Sequence, residues 1–271
     1  MAATDAVFAG SIPALYDRCL GPFLFEPYAR HLARRAMEIG PASILETAAG
    51  TGILTAALAH FLPVAEIIAT DLNPAMLEVA HGRVTSSKIG FTPADAQDLP
   101  FPDGCFQMVA CQFGAMFFPD RVAAYREARR MLRPGGYLLM AVWDRLEANP
   151  ASAAAADAVA ELFPDDPPDF MARTPYGYHD EARIEAELEQ AGFPLHRIAK
   201  AEEIGRGRAA EIALGIVQGS PLRAEIEARA PERLGEATEA AAAAIRTLAG
   251  GAEEVELPMS ALVVTARRPL A

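Results

Sequence analysis

The chain has 271 residues, 52% hydrophobic and 22% charged, an ordinary globular composition that excludes global disorder. At this length roughly 73% of the unfolded surface can be buried, so a core needs no disulfide or metal to hold it. With 24 Lys+Arg against 36 Asp+Glu the formal net charge is −12, which opposes nonspecific binding to nucleic acid or anionic membranes.

Met1 to Gly10 include Asp5 and lack the basic and apolar regions of a secretory leader. Tyr16 to Met37 reads as one or two helices, a lid over the strand ends or a cover for one face of the core. Residues 43–47 form a short apolar strand, broken by Gly50-Thr51-Gly52. Leu54, Ala57, Leu58, Phe61 and Leu62 then recur at helical spacing. Residues 67–71 are a second buried strand, and Asn73-Pro74 caps a short helix through Ala80. Residues 89–93 and 106–113 are the third and fourth strands. Val122, Tyr125, Ala128 and Leu132 mark another helix face, Arg133-Pro134-Gly135-Gly136 a turn, and residues 137–143 a fully apolar fifth strand.

Past Trp143 the pattern changes. Residues 151–163 form an Ala-rich helix and residues 164–169 an acidic, Pro-rich loop. Residues 180–191 form a helix capped by Asp180 and stopped by Gly192. Residues 195–204 are a strand, 206–248 mostly helical, and 257–266 a closing strand. Alternating strands and helices predict an α/β fold: a Rossmann-like doubly wound sheet, mostly parallel with an antiparallel last strand, plus a helical cap. The expected organisation is a helical lid at 1–37 and a cofactor-binding core at 38–145. Cap insertions follow at 146–178 and 206–250, with the rest of the core at 179–205 and 251–271.

Three acids close three successive strands: Glu46, Asp71 and Asp95. In a parallel sheet those ends share one edge, where ligands bind. A carboxylate offers acceptors only, so Asp71 suits the two hydroxyls of a ribose and Asp95 an exocyclic amine. A dinucleotide fingerprint needs a third small residue, and Gly50-Thr51-Gly52-Ile53-Leu54-Thr55 lacks it. Glu46, just before the loop, would repel a pyrophosphate and attract an ammonium group. A ligand with adenosine at one end and a cationic amino acid at the other fits better, and S-adenosylmethionine is that ligand.

The segments ETAAGTG, ATDLNPAML, ADAQDLPFPDGCFQMV and LRPGG together resemble the class I S-adenosylmethionine-dependent methyltransferases, nearest the ubiquinone/menaquinone-biosynthesis branch. The resemblance covers residues 44–144, and more weakly Tyr16-Asp17 and Ala191-Gly192-Phe193. It implies that Glu46, Ala48, Ala49, Gly50 and Gly52 hold the methionine end, with Tyr16 reaching it from the leading helix. It implies further that Asp71 binds the ribose, that Leu72 and Met76 flank the adenine, and that Asp95 and Ala96 meet its edge. Cys111, Gln112 and Phe113 would line the region of the methyl group. Two departures stand out: Ala48 replaces a glycine, at little cost if its φ is negative, and Phe106-Gln107 replaces Phe-Asp, which touches a local capping bond.

Three cysteines with no CxxC pair give no disulfide framework and fit a reducing compartment, and no apolar run approaches a membrane span. The expectation is therefore a cytoplasmic protein. The five histidines show no metal spacing, and neither G-x-S-x-G nor a P-loop occurs. Phe117 and Phe118 read as pocket lining, while Trp143 reads as core. Cys111 reads as a small apolar filler rather than a nucleophile. The expected activity is methyl transfer by in-line displacement to a small-molecule acceptor through O, N or C, with no metal. No general base is assigned; His179, Tyr16 and Tyr178 are the candidates. The alternatives are a catalytically silent S-adenosylmethionine-binding regulator and an NAD(P)-dependent oxidoreductase. A homodimer is compatible with the sequence.

Overall fold

The computed structural model of the protein describes residues 12–270; Met1 to Gly10, read above as no leader, lie outside them. Helix α1 (Ile12–Leu15) runs into ten residues of wide π-type winding, Tyr16–Phe25, and then α2 (Glu26–Ile39). Strands and helices alternate next: β1 (Ser43–Glu46), α3 (Ile53–Phe61), β2 (Glu66–Asp71), α4 (Pro74–Arg83), β3 (Ile89–Pro93), β4 (Phe106–Gln112), α5 (Arg121–Met131) and β5 (Leu132–Trp143). There follow α6 (Pro150–Glu161), α7 (Phe170–Arg173), α8 (Glu181–Gln190) and β6 (Leu195–Arg208). The chain closes through α9 (Ala209–Gln218), α10 (Leu222–Arg229), α11 (Leu234–Leu248) and β7 (Glu254–Arg267). The cap residues do what their side chains suggest. Asn73 accepts from Ala75 N at 3.0 Å with Pro74 next in line, and Asp180 accepts from Ala182 N at 3.0 Å.

The seven strands form one sheet in the order β3-β2-β1-β4-β5-β7-β6. β1 pairs in parallel with β2 and β4, β2 with β3, and β4 with β5. Gly136 is bonded to Arg268, and Asp144 to Ser260. As one number rises the other falls, so β7 runs antiparallel to β5. The expected class of fold is the one observed. After β1 the chain steps outward to β2 and β3, then returns to the other side of β1 as β4. The order reverses between β1 and β4, and a crevice opens outside the carboxyl ends of strands at such a point.

Two expectations need correction. Arg133-Pro134-Gly135-Gly136 is not a free turn but an irregularity inside β5: Phe106 pairs with Leu132, yet Met108 pairs with Tyr137. The extra residues stay in the sheet because Gly135 N donates to Arg268 O and Arg268 N to Gly136 O. Residues 206–208, expected as helical, belong to β6, where Arg206 pairs with Glu256 at 2.9 Å and Ala209 N donates to Glu253 O just beyond.

The chain divides into two compact units. One comprises Tyr28–Val142, Tyr178–Ala201 and the chain from Ala261 onward. Its strands are apolar on both faces: Ile44, Leu45, Ile67, Met108, Val109 and Leu139 are all buried. The other comprises the chain as far as Pro27, Trp143–Gly177 and Glu202–Ser260. Here α11 packs on α9 and α6 through small side chains, with Ala155, Ala213, Ala237 and Ala241 fully buried. Trp143 is buried in this unit, as a core residue should be, and lies 5.7 Å from Tyr176. No helix among the described residues is long and apolar enough to cross a membrane.

Candidate active site

The unit that begins at Tyr28 carries the acids. Glu46 is the last residue of β1 and Asp71 the last of β2; Asp95 follows β3 by two residues. Because β1, β2 and β3 are adjacent and parallel, all three acids come to the carboxyl edge of the sheet. Cys111 and Gln112 end β4 on the other side of β1, so they flank the same crevice.

Glu46 is only 1% exposed. Its Oε2 accepts a hydrogen bond of 2.7 Å from Thr55 Oγ1, and its backbone carbonyl accepts from Thr70 Oγ1 at 2.9 Å. No cation pairs with it among the described residues. Burial, with a smaller contribution from the nearby Asp71, pushes its pKa up to about 8 despite the Thr55 bond. A buried carboxyl with no counter-charge among the described residues offers acceptors alone, which fits the N–H donors of an ammonium group.

Asp71 holds two loops at once. Its Oδ2 accepts from Gly50 N and its Oδ1 from Asn73 N, each at 2.8 Å. Each oxygen keeps a second lone pair for a ligand hydroxyl. Burial raises its pKa, against the lowering effect of those two N–H donors. Asp95 is steadied by Gln97, whose backbone N donates at 2.9 Å and whose Nε2 reaches both oxygens at 3.2 and 3.3 Å. Gln97 Oε1 in turn accepts from Asp120 N at 2.9 Å.

The loop after β1 is stitched to both neighbours: Thr47 N donates to Ala110 O and Ala49 N to Thr70 O, each at 2.9 Å. Its backbone is unusual. Ala48 lies at φ +51°, so the expectation of a negative φ fails. Its Cβ costs roughly 1–2 kcal/mol of left-handed strain. Phe113, the residue after β4, lies at φ +54°, and these two are the only non-glycine residues with positive φ among the described ones. They stand just past the carboxyl ends of the two strands that flank the crevice, where strain of this kind tends to gather. Gly52 lies at φ +77°, and a Cβ there would come within 2.8 Å of Ala80 Cβ. A Cβ on Gly114 would come within 2.4 Å of Ala48 Cβ and 2.9 Å of Cys111 Sγ. The Ala48 methyl therefore occupies the space that Gly114 leaves open. Thr51 Oγ1 in this loop is buried without a hydrogen-bond partner among the described residues.

Leu72 is 69% exposed just past Asp71, an apolar side chain at the sheet edge able to cover a flat ring. Met76 is buried within α4, and Ala96 is half-buried beside Asp95. Cys111 is 2% exposed, and burial pushes its thiol up to about 11 against hydrogen bonds from Thr47, Gly114 and Ala115, as befits a filler rather than a thiolate. Phe113 is buried edge-on to Tyr28 at 5.3 Å, and Tyr28 donates to Ala201 O at 3.2 Å. Phe117 and Phe118 are half-buried just beyond β4. Gln107 supplies the capping bond its position needs: its Oε1 accepts from Ala42 N at 2.8 Å.

Tyr16 belongs to the other unit, where it stacks on Phe25 at 4.7 Å. His179 is exposed. Tyr178 donates to Glu187 Oε2 at 2.6 Å and lies 3.0 Å from Tyr125 Oη. Burial and the Glu187 carboxylate raise its pKa, which disfavours the phenolate a base would need. Sequence reasoning missed Thr55, Gln97 and the Tyr125–Tyr178–Glu187 chain. Thr55 carried a signal, because a hydroxyl one position from Leu54 and three from Leu58 falls on the buried side of α3 and must find an acceptor there. The tyrosine chain joins residues 53 apart and carried none.

Residues 45–140 match the family model described as a methyltransferase domain. The chain is 31% identical over 169 residues to the ubiquinone/menaquinone biosynthesis C-methyltransferase of Hahella chejuensis, covering 57% of this chain and 68% of that protein. It is 38% identical over 115 residues to the demethylmenaquinone methyltransferase of Thermus thermophilus, covering 42% of this chain and 52% of that one. The chain thus spans about half the length of the Thermus relative. Among solved structures it is similar to a Haemonchus contortus phosphoethanolamine N-methyltransferase in complex with phosphomonomethylethanolamine and S-adenosylhomocysteine. The TM-score is 0.58 at 17% identity, over 95% of this chain and 57% of that one, a likeness of fold alone.

Proposed function

Since the chain belongs to the S-adenosylmethionine-dependent methyltransferase family, in its ubiquinone/menaquinone-biosynthesis branch, we propose that it transfers a methyl group to a small-molecule acceptor. The observation that carries this is the buried, uncompensated Glu46 beside Asp71 at the edge where the strand order reverses. When bound, S-adenosylmethionine supplies an electrophilic methyl group on a sulfonium.

Glu46 receives the cofactor's ammonium group, and the backbone of residues 48–52 approaches its amino-acid end. Asp71 accepts from the ribose hydroxyls with the lone pairs that Gly50 and Asn73 leave open. Asp95 and the Ala96 N–H meet the adenine edge, with Leu72 over its face. Cys111, Gln112 and Phe113 bound the region of the methyl group from β4, and the neutral, buried Cys111 thiol does not compete as a nucleophile. The protein's contribution is to hold the reacting atoms in line and to exclude water. No base is assigned: Tyr178 is committed to Glu187, so an acceptor that must lose a proton ionises by itself or through His179. An acceptor carbon, as the name of the Hahella relative states for that protein, is the first to test. A cytoplasmic location accords with the absence of a spanning helix among the described residues.

The test is thermal unfolding with S-adenosylhomocysteine and with NADH, followed by methyl-transfer screening with labelled cofactor. A ligand that binds only the native state raises the melting temperature. S-Adenosylhomocysteine should raise it and NADH should not. Stabilisation by NADH alone would refute the proposal.

A further inference from the structure

We propose that Thr55 is a positioning residue for the cofactor: its hydroxyl holds the Glu46 carboxylate in place for the ligand's cationic amino group. This rests on the role given to Glu46 above. Thr55 lies in the first turn of α3 and is 0% exposed. A threonine inside a helix usually turns its hydroxyl back to the carbonyl one turn earlier. Here it reaches across to β1 instead, donating to Glu46 Oε2 at 2.7 Å. Valine has the same shape and would suit a stripe that already holds Leu54 and Leu58, so packing alone does not call for a hydroxyl.

The surroundings make this donor count. Charged and titratable groups act on Glu46 from two neighbouring strands: Asp71 on β2 and Cys111 on β4. From α3 comes Thr55 alone, and Thr70 reaches only the backbone carbonyl. None of these is a cation. Asp71 and burial both favour the neutral acid, and Thr55 is the side-chain donor that favours the carboxylate. The Thr55 hydroxyl fixes Oε2, and the Thr55 backbone N–H adds a smaller contribution that also favours the carboxylate and that substitution of the side chain leaves in place. Thr55 touches no part of the ligand in this scheme; it acts through Glu46.

The experiment compares Thr55→Val and Thr55→Ser with the unaltered full chain by calorimetry from pH 6 to 10, each variant read as a ratio to the unaltered protein so that titration of the ligand cancels. The probes are S-adenosylhomocysteine and 5′-methylthioadenosine, which lacks the amino-acid end. Losing one hydrogen bond to a charged group should weaken S-adenosylhomocysteine binding of Thr55→Val on the order of tenfold to a hundredfold. The break in its affinity–pH profile should move to higher pH. Methylthioadenosine should bind the variant as it binds the unaltered protein, and Thr55→Ser should restore both properties. A carboxyl carbon NMR titration of Glu46 in ligand-free protein should show the same upward move in Thr55→Val, independently of any ligand. An unchanged break and unchanged affinity, or equal losses for both probes, would overturn the positioning role while leaving the cofactor assignment standing. Failure of the unaltered protein to bind either probe would overturn the cofactor assignment itself, and this role with it.

Discussion

Replacing Glu46 by Gln keeps the shape and removes the charge. Burial pushes the carboxyl of the free protein up to about 8, so at pH 7 most of it is protonated. Binding an ammonium group requires the carboxylate, so ligand binding at that pH should release most of one proton. The apparent affinity of the unaltered protein should therefore gain about tenfold per pH unit between 6 and 8 and level off above. Truncating one partner of a buried charge pair costs ~2–5 kcal/mol. At pH 7 deprotonating Glu46 already consumes ~1.4 kcal/mol of that, which leaves a net loss for Glu46→Gln of about 1–4 kcal/mol, or roughly fivefold to several hundredfold in Kd. Titration with S-adenosylhomocysteine in buffers of different ionisation enthalpy measures both affinity and proton release. The ratio of the two dissociation constants, variant over unaltered, should fall about tenfold per unit as pH drops from 8 to 6, because any titration of the ligand cancels. Parallel pH profiles with no proton release would refute the placement of the cation against Glu46.

The same carboxyl sets a pH dependence of stability. Its folded pKa is raised, so its contribution is complete below the usual carboxylate range and is lost as pH rises toward about 8. Chemical denaturation should show Glu46→Gln gaining on the unaltered protein by a few kcal/mol between pH 5 and 9. Ala48→Gly relieves left-handed strain of ~1–2 kcal/mol but adds ~0.4–1 kcal/mol of unfolded-state entropy, so its melting curve should be unchanged or slightly raised. Gly52→Ala combines positive φ with a 2.8 Å approach to Ala80 and should lower the unfolding free energy read from chemical denaturation by at least the ~1–2 kcal/mol of left-handed strain. Tyr178→Phe strips the buried Tyr125 hydroxyl of its acceptor and should cost ~1–3 kcal/mol of stability. With Cys19 and Cys111 buried and Cys105 exposed, a thiol reagent at neutral pH should label one cysteine in the native protein and all three after denaturation.

The parts of the fold that could be read in the sequence are those whose cause is local. Alternating apolar runs and helical stripes marked β1 to β4 within a residue of their observed limits, and Asn73 and Asp180 announced the helices they cap. Strand-end position was enough to bring Glu46, Asp71 and Asp95 to one edge, since topology fixes that edge once the strands are parallel. Misread features depend on partners far along the chain. Pro134 and Gly135 look like a turn by themselves, and only bonds to Arg268 hold that stretch in the sheet. Arg206 to Arg208 look helical until Glu256 pairs across from them. Ala48 stands at positive φ with its methyl in the space that Gly114, 66 positions away, leaves open, a pairing no local propensity encodes.

A crystal structure of the protein soaked with S-adenosylhomocysteine tests the central claim most directly. The ribose hydroxyls should lie within hydrogen-bonding distance of Asp71, the amino group against Glu46 and the adenine beside Asp95 and Leu72. Ligand density elsewhere, or with the ribose turned away from Asp71, would contradict it.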